Sequence, residues 1–483
     1  MSFNDTGTIA EDAEDNKTSA VSTSLQMWIQ DQPAGTFRHD GIQWQADLDT
    51  DGPLPPVMPL QDIGPEFFLR SLLPESETNW GSDTMDRSPL GFLRAPRRLM
   101  NFSFAPGGAG NMPRPSSNWA GPADRLTSLC DESALFTGQS ADDFFGMESW
   151  GERLQLDGNA PRLSGLQGKI PAFLQDGRLS MVKSVQDPFT VIAKVESHPH
   201  GDLQGLPVLE WVCQRASRMA GVRTPAHALM VSMNGQSATL LSERFDVPKA
   251  DSATGDYLFA LDGTAIMGVD DKNKYNVSTR GLWKAFSRHL QENDLPSAAE
   301  AFFDRFACAW AMADGDLHAK NISMLFRAVS GHGWRGSIAP AYDTVCTKAL
   351  PGFGEDRQAL RIEGKDAGLT PKMWKRFGDF LGVANGDIRA STMSARILDG
   401  VTAAATGVPE LFDGAYRVAI EALLERTVAV VDQRARRLMD VSDADLRSAA
   451  LSRVEVVSSP HYQATVPADH PANLSINGVR TSP

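Results

Sequence analysis

The side chains with the greatest chemical capacity sit in one short run, Asp316-Leu317-His318-Ala319-Lys320-Asn321, and in Ala339-Pro340-Ala341-Tyr342-Asp343 a little further on. Asp316 and Asn321 stand five residues apart. A carboxylate in a turn can accept or orient the proton of a hydroxyl. An amide oxygen and a second carboxylate, Asn321 and Asp343, are hard donors suited to Mg²⁺, which takes one or two carboxylates and completes its shell with substrate phosphates and water. The chemistry that uses this set is phosphoryl transfer. It asks little covalent work of a protein, but phosphates must be held, charge offset by a divalent cation, and the attacking hydroxyl aimed. Taken singly, Asp314, Gly315 and Asp316 also fit helix-end capping and a turn, and Asp343 after Pro340 fits a plain turn.

The elements that must position these groups are legible on both sides. A helix carrying Phe302, Phe303, Phe306, Ala307 and Trp310 leads into the turn, opened by a capping box at Ser297-Ala298-Ala299-Glu300. A short apolar strand leaves it. Upstream, Gly165 and Gly168 in Ser164-Gly165-Leu166-Gln167-Gly168-Lys169 would let backbone N–H groups approach an anion. The β-branched run Phe189-Thr190-Val191-Ile192-Ala193-Lys194-Val195 is a strand with Lys194 near its end. A helix over 206–220 follows, then strands at 226–231 and 237–241 around the hairpin signal Asn234-Gly235, then Ser242-Glu243-Arg244-Phe245-Asp246. Helices are expected over 369–381, 389–399 and 411–439, the last with Val418, Leu423, Val430 and Leu438 as its buried stripe. Glycine loop, strand lysine, helix, hinge-like segment, Asp-x4-Asn, hairpin and Asp is the order of parts in a bilobal kinase.

Bulk properties narrow the class. A chain of 483 residues allows two to four domains at roughly 100–200 residues each, and 42% hydrophobic content supports a sizeable core. Sixty acidic against 46 basic residues give a net charge of -14, which argues against gripping nucleic acid through the chain's own charge. Cys130, Cys213, Cys308 and Cys346 show no CxxC spacing. Cys213 and Cys308 fall in apolar helical contexts as buried free thiols, so neither a disulfide framework nor a zinc site is expected. Residues 1–24 lack the basic and apolar regions of an export signal, and no run approaches a membrane span. The expectation is a cytoplasmic protein without membrane contact. Strand-like texture begins at Met27-Trp28-Ile29 and recurs at Gly41-Ile42-Gln43-Trp44-Gln45-Ala46, and a short amphipathic helix is expected over 64–73.

Asp316-Leu317-His318-Ala319-Lys320-Asn321 with Ser323, followed by Ala339-Pro340-Ala341-Tyr342-Asp343, resembles the HipA family of serine/threonine kinases. Supporting matches are residues 164–169, Ser242-Glu243-Arg244-Phe245-Asp246, Lys274-Tyr275, and Ser71-Leu72-Leu73-Pro74-Glu75 near the N-terminus. The clear similarity covers about residues 160–350. It implies an α+β, bilobal, protein-kinase-like fold: a β-rich N-terminal lobe with an added N-terminal subdomain, and a mainly α-helical C-terminal lobe. It implies an ATP- and Mg²⁺-dependent protein kinase, founding members being toxins held in check by a small helix-turn-helix antitoxin that binds operator DNA. DNA would then be reached only through that partner, and a tRNA synthetase is a known substrate class. Carried over by position, Asp316 is the catalytic base, and Asn321 and Asp343 hold the metal. Ser164, Gly165, Leu166, Gln167, Gly168, Lys169 and Lys194 bind phosphates, Glu243, Arg244 and Phe245 bind adenine, and His318, Lys320 and Tyr342 line the nucleotide site.

The departures bear on regulation. The serine that family members autophosphorylate, three residues before the loop glycine, is Arg162 here, leaving Ser164 as the candidate acceptor. The family's Asn-Glu on the following helix reads Leu209-Glu210, so Glu210 alone is offered as a partner for Lys194. The implied organisation is a disordered stretch over 1–24, an N-terminal subdomain over 25–150 with a Gly/Pro-rich insert near 101–122, a nucleotide-binding part over 151–250, a helical lobe over 251–456, and a disordered tail over 457–483. Two other readings use the same residues: a lipid or small-molecule kinase, and a nucleotide-binding regulator without catalysis.

Overall fold

The computed structural model describes residues 201–439 with short gaps at 233, 248–257, 270, 330–332 and 354–356; upstream it describes 23–29, 32–40, 43–48, 64–65, 68–69, 97–99, 102–106, 126, 135–137, 169–175, 178–182 and 188–196. The expectations for 1–22, most of 64–73, most of the insert near 101–122, Arg162, residues 164–168, Cys130 and the tail beyond 439 lie outside the described residues.

Among the described residues three sheets carry the fold. Strands β1 (Thr23–Ile29), β2 (Gln32–His39), β3 (Trp44–Leu48), β4 (Arg97–Leu99) and β5 (Phe102–Pro106) form a five-stranded sheet in the order β3-β2-β1-β5-β4. Strands β6 (Leu135–Thr137), β7 (Lys169–Gln175), β8 (Arg178–Met181), β9 (Val191–Val195), β10 (His227–Val231) and β11 (Ala238–Glu243) form a second in the order β6-β10-β11-β9-β7-β8. The β10–β11 pair is the hairpin signalled by Asn234-Gly235, with Val231 opposite Ala238. A third sheet, β12 (Leu258–Asp262), β13 (Ser323–Val329) and β14 (Gly333–Ile338), lies in the helical half of the molecule.

Period-2 alternation decides what the second sheet buries. Leu229, Val231, Ala238 and Leu240 pack into the main core, while Ala228, Met230 and Leu241 join Ile170, Val191 and Ala193 in a separate cluster on the opposite face. In β9 this sends Val191, Ala193 and Val195 to that cluster and turns Lys194 the other way. Facing it is helix α1 (Leu206–Met219), buried almost all round because it lies between the sheet and the helices that follow. The first sheet joins the same core through aromatic contacts: the Phe102 ring lies 5.4 Å from Phe259, which stacks on Phe326 at 5.0 Å.

Helices α2 (Gly263–Met267), α3 (Thr279–Ser287), α4 (Leu295–Met312), α5 (Pro371–Leu381), α6 (Gly386–Ala405) and α7 (Gly414–Met439) build the other lobe. Three expectations change in detail. Helix α4 starts two residues before the capping box, because Pro296 sits in the first turn where its missing N–H is not needed, and the Ser297 hydroxyl donates back to the Asp294 carbonyl at 3.0 Å. Helix α6 is longer at both ends than 389–399. The stripe of α7 keeps Leu423 and Leu438 buried and Val430 partly buried as expected but not Val418, which is 65% exposed; Tyr416, Ile420, Leu424 and Val431 complete the buried face. Val418 lies two residues from both Tyr416 and Ile420, which at 3.6 residues per turn is the opposite side of the helix.

Cys213, Cys308 and Cys346 are buried free thiols. Among the described residues no helix is long and apolar enough to cross a membrane.

Candidate active site

A cavity of about 1480 Å³ opens between the six-stranded sheet and the helical lobe. Its upper wall is built on strand register. Lys169 of β7 stands directly opposite Lys194 of β9, so the two ammonium groups rise on one face, an arrangement that repels unless charge is supplied between them. Asp343 supplies it. Its Oδ2 accepts from Lys169 Nζ at 3.2 Å and its Oδ1 from Lys194. Lys194 also donates to Glu210 on the second turn of α1, whose Oε1 accepts in addition from Gln214 at 3.1 Å. Burial alone would lower the Lys194 pKa, but Asp343 and Glu210 outweigh it and hold it raised. Burial would likewise raise Asp343, yet Lys169 and Lys194 hold its carboxyl well below the usual range. Lys194 therefore stays charged although it is only 3% exposed, while burial pushes the Glu210 carboxyl up against the opposing pull of Lys194.

The lower wall is the loop after α4. That helix ends on Ala313 in the left-handed region at φ 54°, and the Asp314 N–H returns to the Ala309 carbonyl at 2.9 Å. Gly315 is required by close approach: a Cβ there would lie 2.8 Å from Thr347 Oγ1, the atom its N–H bonds to. Asp314 Oδ1 accepts the Asp316 N–H at 2.9 Å, so its part in turn formation is real. Asn321 Nδ2 donates to the Asp316 carbonyl at 2.8 Å, which closes the six-residue loop and leaves Oδ1 as the amide's acceptor. Asp316 and Asn321 thereby line the same cavity as Lys194 and Asp343.

Arg305 ties this loop to the Asp343 segment. It projects from α4, is 3% exposed, and donates to the Tyr342 carbonyl at 2.8 Å, to Thr344 Oγ1 at 2.9 Å and to the Asn321 carbonyl at 3.5 Å. The Tyr342 hydroxyl meets Ser323 and donates to the Lys320 carbonyl at 2.8 Å. Asp343 itself has φ 49°, a left-handed backbone that this bracing imposes on a non-glycine residue.

The hinge-like segment divides. The Arg244 side chain turns inward: it pairs with Asp246 through Nε at 3.0 Å and Nη2 at 2.8 Å, and its guanidinium lies 4.2 Å from the Phe189 ring centroid. The Glu243 and Arg244 N–H groups bond to the Ala226 and Thr190 carbonyls. Phe245 faces the cavity, its ring 5.7 Å from that of Tyr342. His318 and Lys320 line the cavity, His318 with Nε2 at 3.7 Å from Asp316 Oδ1.

Sequence reasoning gave no role to Arg305, Thr347 or Tyr275, whose hydroxyl donates to Asp316 Oδ1 at 2.6 Å. A charged residue set among Phe302, Phe303 and Phe306 on an apolar helix was the available signal for Arg305.

The donor set suits a hard cation. Asp343 and the Asn321 amide oxygen face one cavity, and among the described residues no cluster of three or more His, Cys, Asp or Glu forms a self-sufficient cage. That is the donor set of a site whose remaining ligands come from phosphates and water.

Asp314 gives a pH test. Burial pushes its carboxyl up to about 7, with Arg305 opposing and Asp316 adding to the rise. Below the ordinary value of 3.8 both folded and unfolded chains hold the proton; from 3.8 to about 7 only the folded chain does, so stability declines with rising pH and levels off above 7. The window is worth on the order of 4 kcal/mol. Asp314→Asn keeps the acceptor for the Asp316 N–H and removes the titration. Its melting temperature is expected to exceed that of the unmodified chain at pH 8 by clearly more than at pH 5; equal differences at both pH values would refute the assignment.

Two lobes, a β-rich one carrying the paired lysines and a helical one carrying the Asp316 loop, define an α+β protein-kinase-like fold. The family model for the HipA-like C-terminal domain matches residues 162–407, half of the chain, and the chain belongs to that family. A chain from the solved Shewanella oneidensis MR-1 toxin–antitoxin complex of HipA, HipB and operator DNA is similar over 87% of this chain and 100% of its own, at 16% identity and TM-score 0.59. The Helicobacter pylori proinflammatory kinase CtkA is similar over 59% of this chain and 94% of its own, at 15% identity and TM-score 0.35. No curated protein sequence matches the chain.

Proposed function

We propose that this chain is an ATP- and Mg²⁺-dependent serine/threonine protein kinase of HipA type, acting as a toxin neutralised by a helix-turn-helix antitoxin. The observation that carries the catalytic part is the meeting of Lys194, Asp316, Asn321 and Asp343 in one cleft from three separate chain segments, Asp316 and Asn321 sharing one loop. Asp316, on the cleft floor and 45% exposed, accepts the proton of the acceptor hydroxyl. Lys169 and Lys194 hold the donor's phosphates, the Phe245 end of the hinge faces the adenine, and Ser164 is the candidate self-acceptor. Asn321 and Asp343 would hold Mg²⁺, which supplies charge neutralisation at the phosphates when bound. The toxin part rests on family membership and on the likeness in fold to a chain of a complex that contains HipB and operator DNA. An acidic chain of net charge -14 suits a route to DNA through a basic partner rather than its own surface.

The test follows transfer of label from γ-labelled ATP to protein hydroxyls, with and without Mg²⁺. Asp316→Ala is expected to lower the rate about 10²–10³-fold while leaving nucleotide binding intact. A variant that transfers as fast as the unmodified chain would remove Asp316 from the mechanism. Label found on lipid and never on protein would reassign the substrate class.

A further inference from the structure

We propose that Tyr275 is a positioning residue for the base: its hydroxyl fixes the Asp316 carboxylate so that Oδ2, not Oδ1, receives the acceptor's proton. The inference rests on the kinase reading of the site and adds a residue to it. A carboxylate on a short side chain rotates readily about its last torsion, where the preference is broad and two-fold. Asp316 is 45% exposed, so packing does not set that angle. What sets it is a pair of contacts to one oxygen. Tyr275 donates to Oδ1 at 2.6 Å, and His318 Nε2 lies 3.7 Å from the same atom. Among the described residues none bonds to Oδ2, which leaves the second oxygen for the substrate hydroxyl.

Tyr275 can serve as a fixed point because the catalytic loop itself holds it. The Ala319 N–H donates to the carbonyl of the preceding residue, Lys274, at 3.1 Å. The tyrosine ring meets His318 edge-on at 5.0 Å, and the Lys274 ammonium lies 5.4 Å from its centroid. The ring is nevertheless 45% exposed, where few large apolar side chains are exposed among the described residues, and it lines the cleft. One hydrogen bond does not exhaust the base, since an ionised carboxylate offers about four lone-pair sites. The hydroxyl therefore aims the base without occupying it.

The experiment measures ADP formation from MgATP, which counts transfer to any acceptor, water included, in the unmodified chain, Tyr275→Phe, Asp316→Ala and the double variant. Tyr275→Phe is expected to lower kcat about ten- to a hundredfold with KM for ATP and the melting temperature unchanged. In the Asp316→Ala background the same change is expected to have no further effect, since a residue that acts through another has nothing left to position. Wild-type kcat in Tyr275→Phe, or an equal loss in both backgrounds, overturns the proposal while leaving the kinase reading in place. So does phosphate found on Tyr275 by mass spectrometry after incubation with MgATP, because the tyrosine would then be an acceptor. No ADP formation by the unmodified chain overturns the kinase reading itself.

Discussion

Asp343→Asn is expected to lower phosphoryl transfer by roughly 10³–10⁵-fold, the scale on which one missing positive group at the phosphates registers, in a chain that still folds. The backbone argument favours folding: Asp343 sits at φ 49°, and asparagine tolerates the left-handed region at least as well as aspartate. The electrostatic argument is local. Asp343 neutralises the facing pair Lys169 and Lys194, leaving only Glu210 when its charge is removed. Its side chain is 26% exposed, so solvent softens that loss, and the stability cost is expected to be small beside the catalytic one. The measurement pairs transfer kinetics with a Mg²⁺ titration of nucleotide binding. Binding of ATP alone should be retained, and its strengthening by Mg²⁺ should disappear. A variant within tenfold of the unmodified rate, or one with the same Mg²⁺ dependence, would take Asp343 out of the metal-holding role.

The lysine–carboxylate arrangement shows why the site was partly legible in sequence and partly not. Asp316, Asn321 and Asp343 lie in short local motifs, where spacing along the chain converts directly into spacing in space. Lys194 was readable because a β-branched strand alternates its side chains, and one polar residue in that alternation must leave the apolar face. That Lys169 would stand opposite it could not be read, since register is a property of two strands and 24 residues separate the pair. Arg244 lines the cavity, but where its side chain turns was not legible. Motif position does not tell that the Asp246 carboxylate and the Phe189 ring hold its guanidinium inside the lobe. Among the helices, the existence of α1 and α4 to α7 was clear from apolar periodicity, whereas the short α2 and α3 were not anticipated. The full stripe of α7 was not legible, because Val418 is apolar without being on the packed face, and hydrophobicity alone does not forbid an exposed valine.

Arg305 is the residue on which both halves of the lower wall depend, and Arg305→Ala is expected to destabilise the chain by about 3–5 kcal/mol, the usual result of removing one side of a buried charged network. Three acceptors lose their donor at once: the Tyr342 and Asn321 carbonyls and Thr344 Oγ1. Asp314 also loses the positive charge that opposes the effect of its burial, so its ionisation above neutral pH becomes less favourable still. Arg305→Lys separates folding from chemistry. A lysine keeps the charge but replaces the planar fork with a single ammonium, which cannot span a hydroxyl and two carbonyls in fixed directions. It should recover part of the stability while leaving transfer well below that of the unmodified chain, because Asn321 and Asp343 are set by that span. Denaturant unfolding together with ADP formation decides the matter. If Arg305→Lys restores activity in step with stability, Arg305 acts through the fold alone; if stability returns and activity does not, the guanidinium sets the geometry between Asn321 and Asp343.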